Sequence, residues 1–422
     1  MLHIKQWVRR STFLRHNLIF FVGSVAVGAL NYLYYPVLGR LLTPSSFGEV
    51  QALISLFLQI AIFLSVLGLV TINVVANYQS SAKRNAVVLE FERLALCISL
   101  VLLLLTIIFQ RQLQRFLQFD TTWPFILLIV ALVVSVPFTF RGAYLRGKQR
   151  FGLASTVNIL GAGGKLLFST LLVAISWGTA GAIGGLIVAQ VVACGFAALW
   201  AYQNGLHQPE HKRPWRLPDM RVLAPELRYG LLVLVGSLVI TLQYSVDVVV
   251  IKHYFDPHTA GLYAGIASVA RIIFFLTASI SLVLMPMVRL DAKPGANRQL
   301  LMKSLVLLAA AGLPALLVFT LAPAWITGLL MGHEYTSMAS LLPLLSLTLF
   351  IVSVLNLIVS YYLALRRYAI ALVVSIGAAV TYGLIIAHHN TVRAVVASLL
   401  IGSIAMLLTL AIWVGGTKLK EE

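Results

Sequence analysis

The chain has 422 residues, 60% of them hydrophobic and only 10% charged, against roughly 25% charged in an ordinary soluble domain. This excludes a water-soluble globular protein, and at about 20 apolar residues per membrane crossing it leaves no room for a sizeable soluble domain. The net charge of +18 fits either a nucleic-acid partner or the basic loops of a membrane protein, and the placement of the charges decides between them.

The segment from Met1 to Asn17 is basic and leads into a long apolar run without a small-residue cleavage site, so it reads as a retained cytoplasmic tail. Apolar runs of spanning length follow near 18–39, 50–76, 94–109, 124–140, 153–175 and 180–202, then near 230–251, 260–288, 300–322, 338–364, 368–387 and 395–414. These predict an all-α polytopic membrane protein with twelve transmembrane helices, the short third and fourth runs extending into their flanks. An even number of crossings puts both termini on one side. Cys97 and Cys194 lie inside apolar runs, which argues against a disulfide framework or a thiolate metal site.

With the N-terminus inside, 24 lysines and arginines fall in cytoplasmic segments. Five fall outside (Arg40, Arg111, Arg115, Lys252 and Arg393), and two, Lys165 and Arg271, fall within spans. That bias is what the positive-inside rule expects, and it accounts for the basic composition with no nucleic-acid partner.

The longest polar stretch, 203–229, carries Pro209, Pro214, Pro218 and Pro225 and lies at mid-chain. It reads as a cytoplasmic linker between an N-lobe, 1–202, and a C-lobe, 230–422. An ungapped offset of 213 residues aligns the two halves: Gly23 with Gly236, Ser24 with Ser237, Pro44 with Pro257, Gly48 with Gly261 and Ser55 with Ser268. Six helices per repeat give both halves one orientation, related by pseudo-two-fold symmetry about the membrane normal, with a cleft between them.

Gly39-Arg40-Leu41-Leu42-Thr43-Pro44-Ser45-Ser46-Phe47-Gly48-Glu49 resembles the turn after the first helix of Wzx-type polysaccharide flippases, in the multidrug/oligosaccharidyl-lipid/polysaccharide exporter superfamily. Val246-Asp247 followed by Pro257 and Gly261-Leu262-Tyr263-Ala264 is similar to that family's seventh-helix region, and the loop Arg141 to Gly152 to its fourth cytoplasmic segment. The resemblance implies a cavity lined by helices 1, 2, 7 and 8 and open alternately to each side. It implies a lipid-diphosphate-linked oligosaccharide as cargo, carried from the inner to the outer leaflet of a bacterial cell membrane. Membrane lipid and polysaccharide polymerase or assembly proteins are the partners it implies.

Charges at helix centres cost roughly 2.5–3.5 kcal/mol on insertion scales, so each is a functional candidate. Lys165 and Arg271 reach similar mid-depth, one from each lobe, on stripes of small and polar residues: Asn158, Gly161, Ala162, Lys165 and Ser169; Ala264, Ala267, Ser268, Arg271 and Ala278. Gln51, Ser55 and Gln59 share a face of the second helix, and Ser24, Gly28, Asn31 and Tyr35 a face of the first. Helix packing explains such stripes of serine and glycine; a packing surface has no need of a guanidinium. A guanidinium makes bidentate bonds to phosphate oxygens, which puts Arg271 first as the diphosphate anchor, then Lys165, with Arg40 at the exit and Asn31 and Gln59 as polar contacts. Asp247, the acid within a span, is a counter-ion or a coupling-ion ligand.

No P-loop, His-Glu-x-x-His, Gly-x-Ser-x-Gly or Cys-x-x-Cys pattern occurs, and His388-His389 is spaced too closely for ligation from one helix face. The sequence therefore predicts neither an enzyme nor a cofactor. A multidrug exporter on the same fold would place carboxylates inside its lobes, and a scaffold for polysaccharide assembly would need no charge at mid-depth.

Overall fold

The computed structural model describes residues 23–78, 80–203, 219–288 and 295–418. Expectations for the basic tail (Lys5, Arg9, Arg10, Arg15), for Pro209, Pro214 and Pro218, and for Arg289 and Lys293 lie outside them. All regular structure among the described residues is helical. A bilayer leaves a lone spanning segment no other way to satisfy its backbone N–H and C=O groups.

The described part of α1 covers 23–41. It is followed by α2 (Pro44–Asn77), α3 (Ser81–Phe116), α4 (Trp123–Gly147), α5 (Phe151–Leu172), α6 (Gly178–Gln203), α7 (Met220–Tyr254), α8 (Pro257–Met287) and α9 (Ala296–Leu321). A short α10 (Pro323–Met331) and a tight turn of helix over His333–Leu341 precede α11 (Leu342–Ala364), α12 (Ala369–Ala387) and α13 (Val392–Lys418). Among the described residues, ten helical stretches are long and apolar enough to cross a membrane; one of them, Phe151–Trp200, holds both α5 and α6. The chain is a multi-pass membrane protein.

Two local readings change. The polar stretch 203–229 is already helical from Met220 onward. The segment Arg141–Gly152 is the end of α4 and the start of α5, joined by a turn at Lys148, Gln149 and Arg150 in which Gln149 takes φ 58°. The third run extends into its charged flanks as expected, giving the 36-residue α3.

The described chain forms two compact units. The first holds residues up to Leu41, Phe63–Arg115 and Asp120–Gly230. Within it α5 and α6 meet through small residues: a Cβ on Gly164 would lie 3.1 Å from that of Ala189, and Gly185 sits directly on the backbone of Ser169. Such close backbone approach is how membrane helices gain contact where apolar burial offers little. A buried pair, Arg93 Nη1 to Glu90 Oε1 at 2.9 Å, lies on α3, and the other Glu90 oxygen accepts from the Asp219 N–H at 2.9 Å.

The second unit holds Leu42–Ile62, Phe116–Phe119 and Leu231–Glu422. Here the repeat finds its physical reason. Gly48 and Gly261, equivalent in the two repeats, pack on each other, a Cβ on Gly48 falling 2.8 Å from the Gly261 Cα; one on Gly261 would overlap the Pro44 carbonyl. Only glycine permits α2 and α8 to cross there. Phe47 and Tyr335 meet edge to face at 5.9 Å.

Phe116–Phe119 forms a strap against the end of α7. The Phe116 ring stacks on His253 at 3.8 Å, and His253 Nδ1–H donates to the Phe116 carbonyl at 2.7 Å. Gln118 Nε2 donates to the His253 carbonyl at 2.9 Å, and the Lys252 ammonium lies 5.3 Å from the Phe119 ring centre. Leu117 and Phe119 are buried. At the start of α8, Asp256 caps the helix by accepting from the Thr259 N–H at 2.9 Å, and hydrogen bonding from Thr259 holds its carboxyl below the usual carboxylate range.

Candidate functional site

In the first unit, Lys165 lies 14 residues into α5, about 21 Å along the axis at 1.5 Å per residue. It is half-buried. Its ammonium donates to Asn31 Oδ1 at 2.6 Å and lies 4.4 Å from the centre of the Tyr34 ring. Asn31 and Tyr34 are three apart on α1 and so share a face. Among the described residues no carboxylate lies within ion-pair distance of Lys165. Its positive charge is met by an amide dipole and a ring face, both neutral.

The second unit treats its mid-helix charge differently. Arg271 Nη2 donates to Asp247 Oδ1 at 2.7 Å, and Nε donates to the Tyr244 carbonyl at 2.9 Å. Tyr263 donates its hydroxyl to the other Asp247 oxygen at 2.8 Å. Arg271, Asp247 and Tyr263 are 5%, 4% and 0% exposed. One guanidinium and one carboxylate cancel, so α7 and α8 carry a satisfied, neutral network at this level. The structure brings together Arg271 and Asp247, in line with the counter-ion alternative that the sequence left open for Asp247.

The polar stripes divide in the same way. Ala264, Ala267 and Ser268 are fully or nearly buried packing residues, and Ser169 donates to the Ala182 carbonyl at 2.8 Å. Gln59 is half-buried on α2 and donates to Ser245 Oγ of α7 at 3.2 Å, inside the second unit. Arg40 is exposed at the end of α1. His389 stacks on Tyr254 at 4.0 Å, an aromatic contact.

Sequence reasoning missed Tyr34 and Tyr263. Each had a weak signal: Tyr34 follows Asn31 by one helical turn, and Tyr263 lies in the quoted segment Gly261 to Ala264.

The fold is that of a superfamily of membrane transporters. The chain is similar to the lipid II flippase MurJ in its inward closed conformation, at 14% identity and TM-score 0.71, over 95% of this chain and 87% of that one. It is similar to the Vibrio cholerae MATE transporter VcmN, in a mutant form, at 16% identity and TM-score 0.67, over 97% and 96%. A transporter of the same superfamily from Pyrococcus furiosus, described as having a binding pocket of reverse polarity, matches at 13% identity and TM-score 0.59, over 93% of each chain. No curated protein sequence matches. Residues 37–340 match the family described as "Polysaccharide biosynthesis protein", and the chain belongs to that family.

Proposed function

We propose that the protein is a flippase that carries a polyprenyl-diphosphate-linked oligosaccharide from the inner to the outer leaflet of a bacterial cell membrane, by alternating access between an N-lobe, 1–202, and a C-lobe, 230–422. The observation that carries this reading is Lys165: a half-buried ammonium deep in α5 whose described partners are neutral. A charge at that depth is costly to insert, and an anionic cargo supplies the counter-charge it lacks. A diphosphate does so directly through a charge-assisted hydrogen bond. Membership of a polysaccharide biosynthesis family supports a sugar as the rest of the cargo.

In this reading Lys165 holds a phosphate oxygen. Asn31 and Gln59 offer polar contacts to sugar, and Arg40 meets the headgroup at the outer surface. The Arg271–Asp247 pair is a neutral tie between α7 and α8 and supplies no net charge to the cargo. Asp247, each oxygen of which already accepts a hydrogen bond from Arg271 or Tyr263, acts in this reading as the counter-ion of Arg271 rather than as a coupling-ion ligand. Both termini and the basic linker face the cytoplasm, in accord with the placement of the lysines and arginines.

Reconstitution into vesicles tests the reading. Movement of lipid-linked sugar out of reach of an external lectin by the wild-type chain, lost in Lys165→Met, is expected. Transport of cationic dyes with no movement of lipid-linked sugar would overturn it in favour of an exporter.

A further inference from the structure

Lys165 is held by more than its amide partner. An ammonium has three N–H groups. One is committed to Asn31 Oδ1 at 2.6 Å, and the ammonium lies 4.4 Å from the Tyr34 ring centre, within the range in which a ring face attracts a cation. The tyrosine is itself fixed. It is 0% exposed, its hydroxyl donates to the Ala182 carbonyl of α6 at 3.3 Å, and its ring meets Tyr35 edge to face at 5.6 Å. The same carbonyl accepts from Ser169 Oγ, four residues along α5 from Lys165. A ring with no exposed surface cannot serve as a stacking platform for sugar, whereas the ammonium already lies over it.

We propose that Tyr34 is a positioning residue for the anion-binding ammonium. Its ring face and Asn31 together fix Lys165 so that a remaining N–H is presented to a phosphate oxygen. The proposal rests on the reading of Lys165 as the anion contact. It adds a specificity: the cradle is shaped for a compact point charge that offers one donor at a time. A guanidinium at position 165 would keep the charge, but its planar fork would have to lie flat on the ring and leave Asn31. One-donor contact also suits a cargo that must be released after each crossing.

The test alters the ring's electronics while keeping its shape. Phenylalanine and then mono-, di- and trifluorophenylalanine are placed at position 34 of the full chain, and binding of geranylgeranyl diphosphate to the detergent-solubilised protein is measured, with geranylgeraniol as the uncharged control. Affinity is expected to fall stepwise with fluorination, by about tenfold across the series, the span a cation–π contact of ordinary strength supports. Tyr34→Phe alone should stay near wild type, and Lys165→Arg should not restore the binding lost in Lys165→Met. A flat fluorination series beside binding that still depends on Lys165 would overturn the positioning role and leave the anion contact standing. Wild-type affinity in Lys165→Met would overturn both.

Discussion

The Arg271–Asp247 pair allows a quantitative test of whether it ties α7 to α8. The partners are 2.7 Å apart and almost fully buried. For unit charges with centres about 4 Å apart, an effective dielectric near 20 gives an attraction of ~4 kcal/mol, set against a desolvation cost of several kcal/mol per ion. The intact pair therefore adds little net stability, whereas removing one partner strands the other. Arg271→Met leaves Asp247 a buried anion with the Tyr263 hydroxyl, and Asp247→Leu leaves Arg271 a buried cation with the Tyr244 carbonyl. Each single variant should lose about 3–5 kcal/mol. The double variant should lose less than either, because no charge is left unpaired, which makes the coupling free energy ~3 kcal/mol or more. Arg271→Lys should fall between, since one ammonium replaces a fork that reaches both Asp247 and the Tyr244 carbonyl. Unfolding by SDS titration in mixed micelles reads all four states. Single losses that simply add, within about 0.5 kcal/mol, would refute the tie.

Four further outcomes are expected. Lys165→Met should abolish flipping in vesicles while leaving abundance unchanged, because removing a mid-span charge lowers the insertion cost; normal flipping by a normally abundant variant would remove Lys165 from the site. Gly261→Ala should lower thermal stability by the equivalent of about 1–3 kcal/mol or more, because its Cβ meets the Pro44 carbonyl, whereas Gly28→Ala, with open space around it, should be neutral or mildly stabilising; equal effects would undo the crossing assigned to Gly48 and Gly261. Asp256→Ala should cost about 1 kcal/mol of stability. Because the Asp256 carboxyl is held below its ordinary pKa, that contribution is present above the ordinary carboxylate range and disappears as pH falls through the lowered value, so melting curves of wild type and variant should converge in acid. In a chain freed of Cys97 and Cys194, a cysteine replacing Arg40 should react with impermeant maleimide from outside the cell and one replacing Arg366 only after lysis; the reverse pattern would invert the topology.

Membrane physics made the fold legible. Each apolar run had to become a helix, so the twelve runs reappear as α1 to α9 and α11 to α13, with bounds shifted where charged flanks such as those of α3 continue the helix. The repeat was legible because glycine is an expensive residue to keep in a helix unless a backbone passes close by, which is what Gly48 and Gly261 show. The candidate site was legible in its charges and illegible in their partners. Depth along a helix identifies Lys165 and Arg271 equally well, but whether a charge is compensated depends on which neighbouring helix presents an acid. That is set by helix rotation and tilt, which sequence spacing does not encode. Hence Asp247 and Arg271 form a pair that reading each helix alone does not reveal. Tyr34, an apolar ring by composition, takes its electrostatic role from lying under an ammonium.

The strap at the end of α7 also has a bearing on how the protein is made. The second unit draws two pieces, Leu42–Ile62 and Phe116–Phe119, from the first third of the chain. Phe119 emerges from the ribosome 133 residues ahead of Lys252, the cation it faces, an interval of roughly 7–27 s at 5–20 residues per second. During that interval the Phe47–Gly48 face of α2 and the strap await partners that do not yet exist. A chain cut within 204–218 would yield a C-terminal fragment without those pieces and an N-terminal fragment carrying them unmatched. Activity from two separately encoded halves should then require both to be present in one membrane while the second unit folds, and late mixing of finished fragments should not restore it.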